Sequence, residues 1–184
     1  MSILEHAITE STEDAAEVAR LERLVALQKA AFCADPYPSL EVRTERINAL
    51  LGAVMAHREA IKASMMSDFG WHPGSLVDLI EVLGTGARAQ FVLSHLAGWM
   101  EHEDREIDTN MFGNTVAQLR WRPKGVIGNI VPWNFPYDLA FGPLVDMLAA
   151  GNRVIIKPSD FSPASGEVIR AVIESAHDDQ GRAK

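Results

Sequence analysis

The sequence has 184 residues, 47% of them hydrophobic and 23% charged, a composition that excludes an intrinsically disordered chain and predicts a globular one. Seventeen basic against twenty-five acidic side chains give a net charge of −8, which disfavours nucleic acids and anionic membranes as partners. The lone cysteine, Cys33, excludes an intrachain disulfide. The N-terminus lacks a signal-peptide pattern, and no apolar run is long enough to span a membrane, so we predict a cytoplasmic protein.

The first half of the chain has the spacing of amphipathic helices. Apolar residues recur at three- and four-residue steps over residues 14–33, which predicts a first helix that ends at the prolines of segment 35–38. Ser39 then caps a second helix, predicted to run to the stop at residues 69–70. After a turn at 70–74, a capping box at 75–78 opens a third helix that extends to Trp99 and Met100.

Beyond residue 109 the pattern becomes that of strands. The charged run 101–106 predicts a solvated helix end and loop, and Gly113 with Asn114 predicts a turn. Residues 116–121 alternate between apolar and polar, as in a half-exposed strand. A strand this early in the chain would lie at a sheet edge, where it can pair with another chain.

The segment from residue 125 onward predicts a βαβα unit. Apolar runs at 125–131 and 153–157 are typical of buried parallel strands, and a helix at 137–150 separates them. Gly151 suits the left-handed position after that helix, and Ser162 with Pro163 opens the last one. The predicted fold class is α/β: N-terminal helices (1–108), then the first βαβα unit of a Rossmann-like parallel sheet (109–184), incomplete because two strands bury too little surface.

Polar residues follow both predicted parallel strands. Asn134 follows the first, and Lys157 and Asp160 follow the second, so the two loops should lie side by side at the carboxyl edge of the sheet. An amide held between two prolines can stabilise an oxyanion, and a lysine with a carboxylate can bind the two hydroxyls of a ribose. Alternatively, Asn134 and Asp160 cap the helices that begin near residues 136 and 162.

The motifs Pro132-Trp133-Asn134-Phe135-Pro136 and Lys157-Pro158-Ser159-Asp160 resemble those of the aldehyde dehydrogenase superfamily. Segment 35–43 and the Ser67-Asp68-Phe69-Gly70 motif are most similar to coniferyl aldehyde dehydrogenases, and the resemblance covers about residues 27 to 172. It implies oxidation of an aldehyde to a carboxylic acid with NAD or NADP, through a cysteine thiohemiacetal and a glutamate that activates water.

The resemblance also assigns roles to the residues of both motifs. It implies that Asn134 is the side-chain half of an oxyanion hole, and that Lys157 and Asp160 contact the adenosine ribose. The implied cofactor-binding residues are Ile130, Val131, Pro132, Trp133, Lys157, Ser159 and Asp160. The family usually has a glutamate where this chain has Asp160, which leaves the choice between NAD and NADP open.

The family's phosphate-binding glycine segment, general-base glutamate, nucleophilic cysteine and oligomerisation strand are expected beyond residue 184. Cys33 lies in the first predicted helix and has the pattern of a small buried hydrophobic residue, not of the nucleophile. The sequence therefore predicts the N-terminal portion of an aldehyde dehydrogenase, inactive alone, without a metal, and homo-oligomeric in the complete enzyme. The alternative is a non-catalytic truncated or partner subunit that retains a weak nucleotide site.

Overall fold

The computed structural model describes residues 12–177 as a mixed α/β fold in which helices dominate and the sheets are small. The helices are α1 (Thr12–Ala34), α2 (Leu40–Ala56), α3 (Arg58–Phe69), α4 (Gly74–Val77), α5 (Leu83–Trp99), α6 (Thr109–Phe112), α7 (Asp138–Ala149) and α8 (Pro163–Ala176). The strands are β1 (Glu103–Arg105), β2 (Ala117–Leu119), β3 (Val126–Ile130) and β4 (Arg153–Lys157). A π-helical turn over Asp78–Val82 joins α4 to α5. The predicted fold class is confirmed.

The first predicted helix is present as α1, but the second is divided into α2 and α3 at His57. The backbone of His57 departs from helical geometry, with φ −96° and ψ 9°. Its N–H donates to the Ala53 carbonyl oxygen at 3.0 Å, and its ring Nδ1 lies 2.8 Å from the same oxygen. The helical hydrogen bonds continue across this residue, since the Ile61 N–H donates to the His57 carbonyl oxygen at 2.9 Å, so the break is a local change of backbone angles that apolar spacing alone does not indicate.

The predicted capping box at the start of the third helix is wrong. The N-cap is Pro73, and Ser75 lies within the first turn without a capping hydrogen bond from its side chain. Asp78 instead accepts from Arg58 at 2.6 Å and pairs with Lys62 at 3.0 Å. The Arg58 hydrogen bond is the main cause that lowers the pKa of Asp78 to about 2.

The antiparallel pair formed by β1 and β2 corrects two expectations. Segment 101–106, predicted as a helix end and loop, contains β1, and the strand predicted at 116–121 is shortened to β2. Every residue of β1 is exposed, so no apolar alternation could have indicated it. Backbone pairing and a 2.9 Å hydrogen bond from Gln118 to Asp104 hold the strands together.

The predicted βαβα unit is confirmed. Strands β3 and β4 pair in parallel, in a register that places Val126 opposite Arg153 and Ile130 opposite Lys157. Helix α7 connects them and α8 follows β4. Gly151, just after α7, has a φ of +82°, as its predicted left-handed position requires.

One hydrophobic core joins the N-terminal helices to the βαβα unit. It includes Ile47, Leu50, Ile61 and Met65 from α2 and α3, together with Tyr137, Phe141, Val145, Ile169 and Val172 from the second half of the chain. The domain boundary at residues 108 and 109 stays a prediction. Within residues 12–177 no helix combines the length and apolarity needed to cross a bilayer.

Replacing Gly151 with alanine should destabilise the fold. A Cβ at this position would lie 2.9 Å from the Arg43 guanidinium carbon and 2.9 Å from Pro123. Arg43 cannot withdraw, since it is buried and donates to the carbonyl oxygens of Pro38 and Ala149. The alanine would be strained in this left-handed backbone conformation, and its methyl group would be too close to Arg43 and Pro123. Together these effects should lower the free energy of unfolding, measured by urea denaturation, by about 2–4 kcal/mol.

The matched control is Gly52→Ala, which adds the same methyl group to α2 where nothing lies within 4 Å. Its stability should be unchanged or higher by about 0.5–1 kcal/mol, because alanine favours helix. Equal effects of the two substitutions would contradict the steric account of Gly151.

Candidate functional site

The carboxyl ends of β3 and β4 bring the two predicted loops together. Ile130 lies opposite Lys157 in the parallel register, and the N–H of Val131 donates to the Lys157 carbonyl oxygen at 3.0 Å. The loop with Asn134 and the loop with Asp160 therefore leave the sheet side by side, in the place where open α/β sheets bind ligands.

The first loop, residues 132–136, presents Asn134 to solvent. Asn134 is exposed, and within residues 12–177 its side chain has no hydrogen-bond partner. The N-cap of α7 is Tyr137, so the alternative in which Asn134 caps this helix is wrong. Trp133 is half exposed, with its ring centroid 6.3 Å from that of Phe69. The Asn134 amide is thus free to donate to a ligand.

The second loop, residues 158–162, carries an ion pair. The Nζ atom of Lys157 lies 2.7 Å from both carboxylate oxygens of Asp160. Their side chains are 56% and 90% exposed, so the pair contributes at most about 1 kcal/mol and can open for a ligand. Ser159 is half-buried, and its Oγ accepts from the Phe161 N–H at 3.2 Å.

A buried acid that sequence analysis missed, Glu81, holds the start of α7. Its Oε2 atom accepts from the N–H of Tyr137 at 3.0 Å and from that of Asp138 at 2.6 Å, and the residue is 1% exposed. Burial raises the pKa of Glu81 to about 7, against the opposing effect of the two backbone hydrogen bonds. The only signal in the sequence is an acidic residue within the apolar run 79–83.

A second acid, Asp68, holds the start of α8 in the same way. Its carboxylate accepts from the N–H of Ala164 at 3.0 Å, from the N–H of Ser165 at 2.8 Å and from the Ser165 hydroxyl at 2.7 Å. Ser162 occupies the predicted cap position of α8, but its side chain makes no capping hydrogen bond, and its Oγ is buried without a partner in the described range. Asp160, the other predicted cap, pairs with Lys157 instead.

A buried hydroxyl contact adds to the anchoring of the first loop. The hydroxyl groups of Tyr137 and Ser64 form a short hydrogen bond, and both side chains are buried. Burial raises the pKa of Tyr137 to about 12, so this phenol stays protonated at neutral pH. Helix α3 therefore contacts the elements that follow both loops.

Cys33 lies at the opposite end of the sheet from Asn134. It is exposed on α1, so the prediction that it is buried is wrong. The ring of its neighbour Phe32 lies 3.8 Å from where a Cβ on Gly125 would stand, at the amino end of β3. The five residues of β3 span about 17 Å, which separates this cysteine from the Asn134 loop.

A cavity of about 880 Å³ lies elsewhere, between α5, α7 and the β1–β2 pair. Its lining includes Arg88, Trp99, Trp121 and Asp146, and none of the predicted site residues. Among residues 12–177 there is no group of three or more His, Cys, Asp or Glu that could hold a metal. The strand ends therefore remain the candidate site.

Comparison with known proteins identifies the relatives of this chain. The model of the aldehyde dehydrogenase family matches residues 7–182. The chain is 36% identical over 155 residues to a probable coniferyl aldehyde dehydrogenase of Caulobacter vibrioides, covering 83% of this chain and 32% of the relative. It is also 36% identical over 141 residues to the coniferyl aldehyde dehydrogenase of a Pseudomonas species, covering 77% and 29%. The chain thus spans about a third of the length of these curated relatives.

Solved structures agree with the sequence comparison. Staphylococcus aureus AldH in a substrate-bound state superposes with a TM-score of 0.80 at 25% identity, covering 87% of this chain and 34% of that one. PnpE from Pseudomonas sp. WBC-3 in complex with nicotinamide adenine dinucleotide has the same fold in this region, with a TM-score of 0.73 at 24% identity over 89% and 32%.

The raised pKa of Glu81 predicts a pH dependence of stability. Because the folded chain holds this proton more tightly than the unfolded chain does, the contribution of Glu81 to stability is greatest below its ordinary pKa of 4.5 and is lost as pH rises to about 7. The free energy of unfolding should fall by about 1–3 kcal/mol over this window. Urea denaturation at several pH values measures it.

Glu81→Gln is the control for this titration, since it keeps the size of the side chain and removes the ionisable proton. The difference in stability between the chain and this variant should change between pH 4.5 and about 7 and be constant above that range. A difference that does not vary with pH would refute the assignment.

Proposed function

The chain belongs to the aldehyde dehydrogenase family, and from this premise we propose that it forms the N-terminal part of an enzyme that oxidises an aldehyde to a carboxylic acid with NAD or NADP. The supporting observation is the pairing of two strand ends, which present a free amide and an exposed ion pair at the same edge of the sheet. In the family reaction, NAD(P) accepts the hydride that leaves the reacting carbon.

Asn134 is proposed as an oxyanion donor. When a thiolate attacks an aldehyde, negative charge develops on the carbonyl oxygen, and an amide N–H that is already in place stabilises that charge. The Asn134 side chain has no competing partner among the described residues, and prolines at 132 and 136 limit the movement of its backbone.

The residues around the strand ends are proposed to hold the cofactor. Lys157 donates to, and Asp160 accepts from, the two hydroxyl groups of the adenosine ribose, once their mutual ion pair opens. Ile130, Val131, Pro132, Trp133 and Ser159 complete the proposed cofactor-binding set. Exposed apolar surface at Ile130 and Trp133 fits contact with a planar ring system.

The proposed substrate is an aromatic aldehyde of the coniferyl type, because the two curated relatives described above carry that name. We further propose a cytoplasmic enzyme that is homo-oligomeric when complete. The exposed side chains of Val116 and Trp121 beside β2 support this arrangement, since an apolar sheet edge favours pairing with another chain. Division into a helical region, 1–108, and the start of the NAD(P)-binding domain, 109–184, is part of the same proposal.

This chain is proposed to be inactive alone. It has a single cysteine, and Cys33 lies at the opposite end of the sheet from Asn134, too far away to form the thiohemiacetal. The alternative, a non-catalytic subunit that retains a weak nucleotide site, shares these observations. Nucleotide-binding measurements test the proposed cofactor site, and assays of aldehyde turnover test the proposal that this chain is inactive alone.

Binding of NAD⁺ and NADP⁺ to the full chain should depend on the exposed ion pair. Lys157→Ala and Asp160→Ala should each weaken nucleotide binding by about tenfold, because each removes a hydrogen bond to or from a charged group. Isothermal titration calorimetry with both nucleotides measures the affinities and shows which of the two is preferred.

The matched control is Arg170→Ala, which opens an exposed ion pair of the same spacing with Glu167 on α8. It should leave the affinity unchanged. Equal affinities in all the variants, or no binding of either nucleotide to the unmodified chain, would overturn the proposed cofactor site. Robust aldehyde-dependent formation of reduced nicotinamide by this chain would overturn its inactivity.

A further inference from the structure

The segment that carries Asn134 is fixed at both of its ends. At its start, the Val131 N–H donates to the carbonyl oxygen of Lys157 at 3.0 Å. At its end, the N–H groups of Tyr137 and Asp138 both donate to one oxygen of Glu81, while the Tyr137 hydroxyl holds only the side chain, through Ser64. Only residues 132–136 lie between these anchors. Because this segment is short, a displacement of the backbone at either anchor should also displace Asn134.

The two anchors differ in origin. The first belongs to the sheet ladder, which every parallel strand pair supplies. The second is Glu81, which lies in the N-terminal helical region, more than fifty residues earlier in the chain. Glu81 is 1% exposed, so burying it carries a desolvation cost that an apolar residue at this position would avoid.

Glu81 lies in the π-helical turn that contacts the start of α7. The wider register of this turn is marked by the hydrogen bond from the Leu83 N–H to the Asp78 carbonyl oxygen, five residues back. Turns of this kind are frequent at functional sites. The Asp78 side chain pairs with Arg58 and Lys62 of α3, which fixes the start of the turn.

We propose that Glu81 is a positioning residue for aldehyde oxidation, whose carboxylate oxygen sets the place and order of the Asn134 amide by holding the first two N–H groups beyond the loop. This inference rests on the oxyanion role proposed for Asn134. It assigns Glu81 no contact with substrate or cofactor. A purely structural cap would stabilise α7 and leave the order of Asn134 unchanged.

Nuclear magnetic resonance of the full chain separates these roles with two variants. Glu81→Met keeps the length of the side chain and removes the acceptor, and Glu81→Gln keeps one oxygen able to accept both hydrogen bonds. In Glu81→Met, hydrogen-exchange protection of the Tyr137 and Asp138 amides should fall at least about tenfold, since both amides lose their hydrogen-bond acceptor. The ¹⁵N order parameters of the Asn134 backbone and side-chain amides should fall with it. Glu81→Gln should restore both readouts.

Asn152→Leu is the matched control, because the Asn152 Oδ1 atom accepts from the backbone N–H groups of Lys124 and Gly125 at the opposite end of β3. It should lower protection at Lys124 and Gly125 while Asn134 keeps its order. If Glu81→Met does not fold, Glu81→Asp provides the test, since its shorter side chain withdraws the oxygen and should loosen Asn134.

Two results would overturn the positioning role. One is an Asn134 order that does not change when protection at Tyr137 and Asp138 is lost, and the other is a failure of Glu81→Gln to restore that order. Neither readout involves a nucleotide. Loss of NAD⁺ and NADP⁺ binding would therefore refute the proposed cofactor site without affecting this result.

Discussion

Two acidic side chains from the N-terminal helices accept hydrogen bonds from the first free N–H groups of α7 and α8. The amino end of a helix leaves such donors unsatisfied, and it carries a partial positive charge that favours an anion. Glu81 and Asp68 provide acceptor oxygens for these donors across a tertiary contact rather than from the capping position in the chain. The helical region thus fixes where both helices of the βαβα unit begin. Since each helix start also ends one of the loops at the sheet edge, the geometry of the candidate site depends on these two contacts.

Local patterns predict the βαβα unit because its signals are short in range. Apolar runs mark β3 and β4, and Gly151 and Pro163 mark the end of α7 and the start of α8. The adjacency of Asn134 and Lys157 then follows from parallel pairing alone. The same reasoning fails where a distant residue decides the outcome. Ser162 has the sequence pattern of a cap, but Asp68, far earlier in the chain, makes the hydrogen bonds.

Other differences have their own physical reasons. At His57 the backbone angles leave the helical range, a local change that apolar periodicity does not encode. Strand β1 is wholly exposed, so it lacks the alternation that identifies strands. Cys33 is exposed because α1 lies at the surface, where none of residues 15–34 is buried. The chemical roles of the site residues cannot be predicted from residue type alone. They are inferred from the family resemblance and from the surroundings of each side chain.

The ion pair between Lys157 and Asp160 has an electrostatic consequence. Its two charges cancel, so this loop exerts little long-range attraction on an anionic dinucleotide, and the chain as a whole carries −8. Capture of such a molecule must then rely on short-range complementarity after encounter instead of on steering from a distance. Association of the proposed dinucleotide should therefore be slow and should become faster as added salt screens the repulsion from the net negative charge, while the residence time reports the short-range fit.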